Sequence, residues 1–208
     1  MKISILLPYK ENFSPSYPGA VSLFVKDTAA ISKYKKNIVV YGNTSFKKKF
    51  PIKYSNISLS DFRFKSKSKQ YVDKFIYNEK KNPSDLIEVH NRPNYLSEIV
   101  NSLGKKNLVL YFHNDPLTMS GSKSITERKY LLKICYKIIF NSNWSKKRFL
   151  EGMQNKFVNS EKLLVVFQSA KKIIINPKNK KKEITFVGKL NKSKGYDIFG
   201  KAVIKILN

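Results

Sequence analysis

The chain has 208 residues and a formal net charge of +27 at pH 7, from 41 lysines and arginines against 14 acidic residues. Hydrophobic residues make up 41% of it, enough for the core of one α/β domain and part of another. The single cysteine excludes an internal disulfide framework, and no apolar run is long enough to predict a signal peptide or a membrane-spanning helix. We therefore expect a cytoplasmic protein.

The excess of positive charge has more than one explanation. An AT-rich genome, which enriches proteins in Lys, Asn and Ile, would produce it without a functional reason. A basic surface would equally attract phosphorylated substrates, anionic lipid headgroups or nucleic acid. The lysines are spread along the chain, and no zinc-finger, RRM or basic-zipper pattern is present. We therefore expect no specific nucleic-acid partner, whereas a peripheral position on the inner face of a membrane stays open.

The N-terminal segment has the pattern of the first half of a βαβ unit. Ile3 to Leu7 is an apolar run that predicts a buried strand, and residues 8–18 form a proline-rich loop. A helix with one apolar side is predicted to begin just after Gly19. A glycine there would let an anion approach the free N–H groups of the helix N-terminus. The alternative is an ordinary helix start without a ligand.

The middle of the chain alternates strands and helices, which predicts a parallel sheet. Strands are predicted at 38–41, 54–59, 86–91 and 107–112, with helices at 70–81 and 93–103. His90 and His113, the two histidines of the chain, both fall at the C-terminal ends of strands. Ligands of open parallel sheets gather at those ends. We expect Gly19, His90 and His113 at one rim, where each histidine either binds substrate or makes a structural hydrogen bond.

The alternation continues with a helix at 124–135, a strand at 136–140, a helix after Asn141-Ser142 and a strand at 163–167. Ser142 is expected to cap its helix by accepting a backbone N–H. Residues 176–182 are polar and basic with one proline, as in an interdomain linker.

The C-terminal stretch predicts a further strand, turn and helix. Ile184 to Val187 is apolar, Gly188 ends the run, and a helix from Tyr196 to Leu207 has apolar residues at steps of three and four. Gly188 would let the backbone approach a ligand, and Lys189 and Lys194 would place two cations beside the helix N-terminus. This combination indicates a seat for phosphate or diphosphate. The alternative is an ordinary strand, turn and helix in a lysine-rich chain.

This last stretch, a strand followed by Gly188-Lys189-Leu190, a short gap and Lys194-Gly195, closely resembles the opening of the second domain in GT-B glycosyltransferases of the retaining family 4. The segment from Phe112 to Pro116 and the Asn141-Ser142 pair resemble the first domain of that family. The resemblance covers nearly all of the chain but ends one strand and one helix into the second domain.

The resemblance implies an α/β fold with a clear division of the chain. Residues 1–175 would form an N-terminal domain on the acceptor side, a Rossmann-like parallel sheet with helices on both faces. Residues 176–182 would be a linker, and residues 183–208 would begin a truncated, donor-binding C-terminal domain.

The implied function is that of a retaining glycosyltransferase, or of its N-terminal part. It would move a hexose from a nucleotide-diphosphate sugar to a glycan or lipid-linked acceptor, as in polysaccharide or lipopolysaccharide biosynthesis. His113 would be the catalytic residue, at the donor sugar. The implied substrate-binding residues are Gly19, His90, Gly188, Lys189 and Lys194. No metal and no cofactor is implied, apart from the nucleotide sugar as co-substrate.

Departures from the family pattern limit what the resemblance implies. Lys189 stands where arginine is commoner, which keeps the charge but loses the bidentate grip on phosphate. Gln168 begins a segment that replaces the family's Pro-Asn-Gly turn, so no nucleotide contact is expected there. The family's Glu-x7-Glu element would lie past Asn208, so we expect the 208-residue chain alone to be inactive. A non-catalytic basic module that binds an anionic polymer or a membrane surface stays open as the alternative.

Overall fold

The computed structural model describes residues 1–61, 65–104, 107–154, 157, 160–169, 183–188, 190 and 192–207. The chain divides into two units, Met1–Ser169 and Ala170–Asn208. The predicted linker lies outside the described residues, which exclude 170–182, so the expected limits of the two domains stay a prediction.

The first unit is built on seven parallel strands: β1 Ile3–Leu6, β2 Ile38–Gly42, β3 Tyr54–Asn56, β4 Leu86–His90, β5 Asn107–Phe112, β6 Lys137–Phe140 and β7 Leu163–Val165. Their order across the sheet is β3-β2-β1-β4-β5-β6-β7. Ile5 of β1 is in register with Val40 on one side and with Glu88 on the other. The order reverses between β1 and β4, and such a switch point opens a crevice at the carboxyl ends of the strands.

Helices pack on both faces of this sheet: α1 Ala20–Ile31, α2 Lys67–Lys81, α3 Leu96–Leu103, α4 Ile125–Ile134 and α5 Asn143–Leu150. Successive strand residues point to opposite faces. Ile5 therefore packs in the core beneath α1, whereas Leu6 packs in the core shared with α2 to α5. Strands buried on both faces are what a parallel sheet requires. The prediction of an α/β, Rossmann-like sheet with helices on both faces is confirmed.

Serine side chains cap the starts of α2 and α5. α2 begins earlier than predicted, because the Ser66 hydroxyl accepts the backbone N–H of Lys69 at 3.2 Å. Ser142 caps α5 as predicted, since its hydroxyl accepts the backbone N–H of Ser145 at 3.1 Å. Each cap satisfies an N–H group that has no partner within its own helix.

The second unit differs from the prediction in one element. Its helix α6 spans Tyr196–Leu207, as the apolar periodicity predicts. The strand predicted over Ile184 to Val187 is wrong, because residues 183–187 have no regular secondary structure. A strand needs a neighbour for its N–H and C=O groups, and the described part of this unit provides none. Val187 is accordingly 91% exposed.

Candidate functional site

A cleft of about 330 Å³ lies at the carboxyl end of the sheet, where the strand order reverses. Its lining comes from segments that follow strands and from the first turn of α1: Pro8, Lys10, Glu11, Ala20, Val21, Asn91, Arg92, His113, Asn114 and Gln168. Because parallel strands end at the same edge, residues that are far apart in the sequence meet here.

His113 is held at this edge by the residues that follow the neighbouring strands. Its backbone N–H donates to the side-chain oxygen of Asn91 at 3.2 Å, and the side-chain amide of Asn141 donates to its carbonyl at 2.9 Å. Asn91 has a left-handed φ of 56°, which asparagine tolerates better than most residues. Hydrogen bonds therefore hold both the backbone N–H and the backbone C=O of His113, while its side chain lines the cleft.

His90 and His113 form a pair, which confirms that the two histidines share one edge of the sheet. Nδ1 of His90 and Nε2 of His113 are 2.9 Å apart. His90 is 1% exposed and stacks on Tyr111, with ring centroids 4.6 Å apart. Phe24 of α1 packs edge-on against His113 at 5.1 Å. His90 has no surface of its own in the cleft, so its influence on a ligand passes through His113.

Burial decides the protonation of His113 and of Tyr111. Burial, and secondly the neighbouring His90, lowers the pKa of His113 from its ordinary value of 6.5 to about 3. Burial, and secondly the charge of Glu88, raises the pKa of Tyr111. At neutral pH His113 is therefore a neutral imidazole, with one N–H donor and one acceptor nitrogen. Such a ring suits a hydroxyl group better than an anion.

Lys10, Arg92 and Gln168 are cleft residues that the sequence analysis missed. Lys10 and Arg92 bring two cationic side chains, and the Arg92 guanidinium also donates to the carbonyl of Asn91 at 2.7 Å. The side-chain amide of Gln168 lies 3.1 Å from Nδ1 of His113. Their positions in the sequence could have identified them, because each residue follows a strand that ends at this edge of the sheet. Together with His113, they suit a ligand with both anionic and hydroxyl groups.

Gly19 precedes α1 at this edge, and the chain itself fills the anion seat predicted beside it. The Glu11 carboxylate accepts the backbone N–H of Ser22 at 2.9 Å and its hydroxyl at 3.0 Å. A Cβ on residue 19 would overlap this carboxylate. Glu11 therefore makes the close approach that glycine permits, and it satisfies the N-terminus of α1. The sequence analysis did not foresee this partner for Gly19.

The other predicted site residues belong to the second unit. Lys189 lies outside the described residues. A Cβ on Gly188 would lie 3.2 Å from the ring of Phe186. Lys194 ends a single 3-10 turn, and Gly195 follows with a φ of 72°, a conformation that favours glycine. Diphosphate binding by Gly188, Lys189 and Lys194 stays a prediction.

The described residues contain neither a metal-binding cluster nor a membrane-spanning helix. Within them, no group of three or more His, Cys, Asp or Glu side chains could hold a metal ion. The helices described are all too short or too polar to cross a membrane. Cys135 is buried, and burial raises the pKa of its thiol to about 12, so it is an unreactive core residue.

Comparison with known proteins gives structural matches without sequence matches. No family model and no curated protein matches the chain. One structural match is HepE from Anabaena in complex with UDP and glucose, which is 18% identical over 82% of this chain, with a TM-score of 0.55. The complex of HepE with UDP-glucose is 16% identical over 80% of this chain, with a TM-score of 0.54. The chain spans 45% of HepE in the first case and 44% in the second. At these identities the likeness establishes the fold.

Proposed function

We propose that the chain forms one wall of a sugar-transfer site. The reaction moves a hexose from a nucleotide-diphosphate sugar, with retention, to a glycan or lipid-linked acceptor. The observation that carries the proposal is a neutral His113 at the edge where the strand order reverses, in a cleft that also holds Lys10 and Arg92. The fold supports it, since HepE has a similar fold and its crystal structures contain UDP with glucose and UDP-glucose.

A nucleotide-diphosphate sugar has hydroxyl groups on its sugar and negative charge on its diphosphate, and the cleft offers a side chain for each. His113 hydrogen-bonds a sugar hydroxyl, because the ring is neutral and lines the cleft. Lys10 and Arg92 face anionic oxygens of the donor or of a phosphorylated acceptor. Contacts of this kind accelerate transfer only where they are stronger in the transition state than in the ground state.

Charge on the leaving group is the main electrostatic demand of this reaction. The bond between the anomeric carbon and the diphosphate oxygen breaks, and its electron pair stays on that oxygen. Lys189, Lys194 and the N-terminus of α6 stabilise this charge without a metal ion or cofactor. The acceptor hydroxyl forms the new bond on the same face of the sugar and gives its proton to the departing diphosphate oxygen. Because the chain spans about 45% of HepE, we expect turnover only when the remaining residues are supplied.

A donor screen tests this function. The chain is combined with the polypeptide encoded by the adjoining reading frame, and a panel of labelled nucleotide-diphosphate hexoses is offered with membrane extract as the source of acceptor. We expect label transfer from at least one donor, and a loss of about tenfold in His113→Ala, as for the removal of one hydrogen bond to an uncharged group.

The opposite outcome would support a different function. A net charge of +27 also suits a non-catalytic module that binds an anionic polymer or membrane. If no donor yields transfer, and the chain binds anionic vesicles equally well with and without nucleotide sugar, that second function replaces the first.

A further inference from the structure

Glu88, His90 and His113 form a line on the side of the sheet that α1 covers. A carboxylate oxygen of Glu88 lies 3.6 Å from Nε2 of His90, and Nδ1 of His90 lies 2.9 Å from Nε2 of His113. The line ends in the cleft, where Nδ1 of His113 is 3.1 Å from the side-chain amide of Gln168. Nε2 of His90 is buried, and no atom of the described residues hydrogen-bonds to it.

When each ring carries a single proton, two arrangements satisfy the bond between Nδ1 of His90 and Nε2 of His113. In the first, Nε2 of His113 carries the proton and donates to Nδ1 of His90, whose own proton is on Nε2. In the second, Nδ1 of His90 donates to Nε2 of His113, whose own proton is on Nδ1. Gln168 does not decide between them, because its side-chain amide can turn over to donate to Nδ1 of His113 or to accept from it.

Glu88 decides between the two arrangements, because a carboxylate only accepts hydrogen bonds. In the first arrangement it faces the N–H of Nε2 of His90. In the second it faces a lone pair of the same nitrogen, in a buried place where the repulsion is poorly screened. We propose that Glu88 is a positioning residue that acts through His90 to keep the proton of His113 on Nε2, leaving the Nδ1 lone pair of His113 to the cleft.

The surroundings of the pair are compatible with this arrangement. Burial keeps the pKa of His113 far below neutral pH, so a single proton has to be placed on its ring. The charged side chains on the cleft side are those of Lys10, Glu11 and Arg92. The Tyr111 ring stacks on His90 and stays un-ionised, because burial raises the pKa of its hydroxyl.

The fixed tautomer determines which groups of a ligand can hydrogen-bond to Nδ1 of His113. A lone pair on Nδ1 accepts a hydrogen bond from a hydroxyl or an N–H group, and it repels a phosphate oxygen. The identity of that group rests on the proposed function: a sugar hydroxyl of the donor replaces the Gln168 amide and donates a hydrogen bond to Nδ1 of His113. The diphosphate is then left to the cationic side chains.

Nitrogen-15 NMR of the imidazole rings in the full chain at neutral pH tests the tautomer. A protonated ring nitrogen and one with a lone pair differ widely in chemical shift. The chain has two histidines, so His90→Asn and His113→Asn assign the signals. In the wild-type chain we expect both rings protonated on Nε2 and unprotonated on Nδ1.

Glu88→Gln tests the role of the carboxylate, since an amide can donate as well as accept. We expect a mixed population, with the Nδ1 signal of His113 shifted towards that of a protonated nitrogen. Glu98→Gln is the matched control. It removes the same charge from α3, which packs on the other face of the sheet, where Glu98 pairs with Lys69, and it should leave both rings unchanged.

Two results overturn the proposal: a wild-type His113 protonated on Nδ1 or on both nitrogens, and a Glu88→Gln spectrum identical to that of the wild type. If Glu88→Gln fails to fold, judged by its backbone amide spectrum, the wild-type rings alone still decide the tautomer. None of these measurements uses a nucleotide sugar. A failed donor screen therefore leaves the tautomer assignment standing, and a wrong tautomer leaves the transfer reaction standing.

Discussion

Two glycine turns of this chain, Gly19 before α1 and Gly188 before α6, both match the pattern of an anion seat and have different neighbours. At Gly19 the Glu11 carboxylate already occupies the helix N-terminus through Ser22. At Gly188 the nearest side-chain atoms belong to the ring of Phe186 and to Cβ of Lys194. A glycine at such a turn therefore marks a close approach without identifying the group that approaches.

The two turns have different neighbours because the segments around them differ in length and in charge. The loop between β1 and α1 is long enough to fold Glu11 back onto the helix, helped by a hydrogen bond from its N–H to the carbonyl of Pro8 at 2.9 Å. Residues 189–195 include lysines at 189, 192 and 194 and no acidic residue. An external anion therefore suits the second turn better than the first.

The largest effect is expected from the lysines of the second turn. Under the proposed function, Lys189→Ala or Lys194→Ala should each weaken binding of nucleotide diphosphate by roughly ten- to a hundredfold. The reason is that a charge-assisted contact is worth about 1.5–3 kcal/mol. Calorimetric titration with nucleotide diphosphate and with the bare nucleoside measures this, and the nucleoside should be little affected.

Lys201→Ala is the matched control, because that lysine is exposed on α6, beyond the turn. If the double Lys189→Ala, Lys194→Ala variant binds nucleotide diphosphate as tightly as the parent, the second turn is an ordinary link between two segments.

The next effect concerns the first turn. Gly19→Ala should lower the free energy of unfolding by about 1.5–3 kcal/mol, because the new Cβ displaces the Glu11 carboxylate from Ser22. Gly188→Ala should stay within about 0.5 kcal/mol, as for most surface changes. Urea denaturation measures both.

A double-mutant cycle identifies the mechanism of that loss. In a Glu11→Ala background the carboxylate is gone, so adding Gly19→Ala should cost little more. Equal costs of Gly19→Ala in both backgrounds would show that the clash is not with Glu11, and the contrast between the two turns would lose its basis.

The fold was predictable because buried parallel strands and amphipathic helices have strong apolar periodicity, as over 107–112 and 196–207. The shared edge of His90 and His113 was predictable from topology alone. The contact of Glu11 with α1 was not, because periodicity carries no information about how a loop folds. The strand expected over 184–187 failed for a related reason, since an apolar run forms a strand only where another strand can pair with it.

The pH dependence of stability distinguishes the first unit, which contains His90 and His113, from the second unit, which contains no histidine. The folded pKa of His113 lies at about 3, against an ordinary 6.5. Between these values the unfolded chain binds the proton and the folded chain does not, so stability falls as the pH drops below about 6.5. The steepest loss is about 1.4 kcal/mol per pH unit.

His113→Gln removes this group and should flatten the dependence of unfolding free energy on pH between about 6 and 4. The slopes of wild type and variant, from urea denaturation at several pH values, are compared. Parallel slopes would mean that His113 titrates alike in the folded and unfolded chains, and would place it in a solvated setting.

The smallest effect, and the sharpest test of what fills the first turn, is expected from Glu11→Gln. The amide keeps an oxygen that can accept the Ser22 N–H, so only the charge is lost. A hydrogen bond to a neutral acceptor is worth about 1 kcal/mol less than one to a carboxylate, and the favourable placement of negative charge at a helix N-terminus adds about 0.3–1 kcal/mol. We therefore expect a loss of about 1–2 kcal/mol in unfolding free energy, smaller than that of Gly19→Ala, while Glu161→Gln at an exposed position changes it little. If Glu11→Gln unfolds like the wild type, the charge of this carboxylate contributes nothing to the stability of α1, and the hydrogen bonds from Ser22 alone hold the side chain at the first turn.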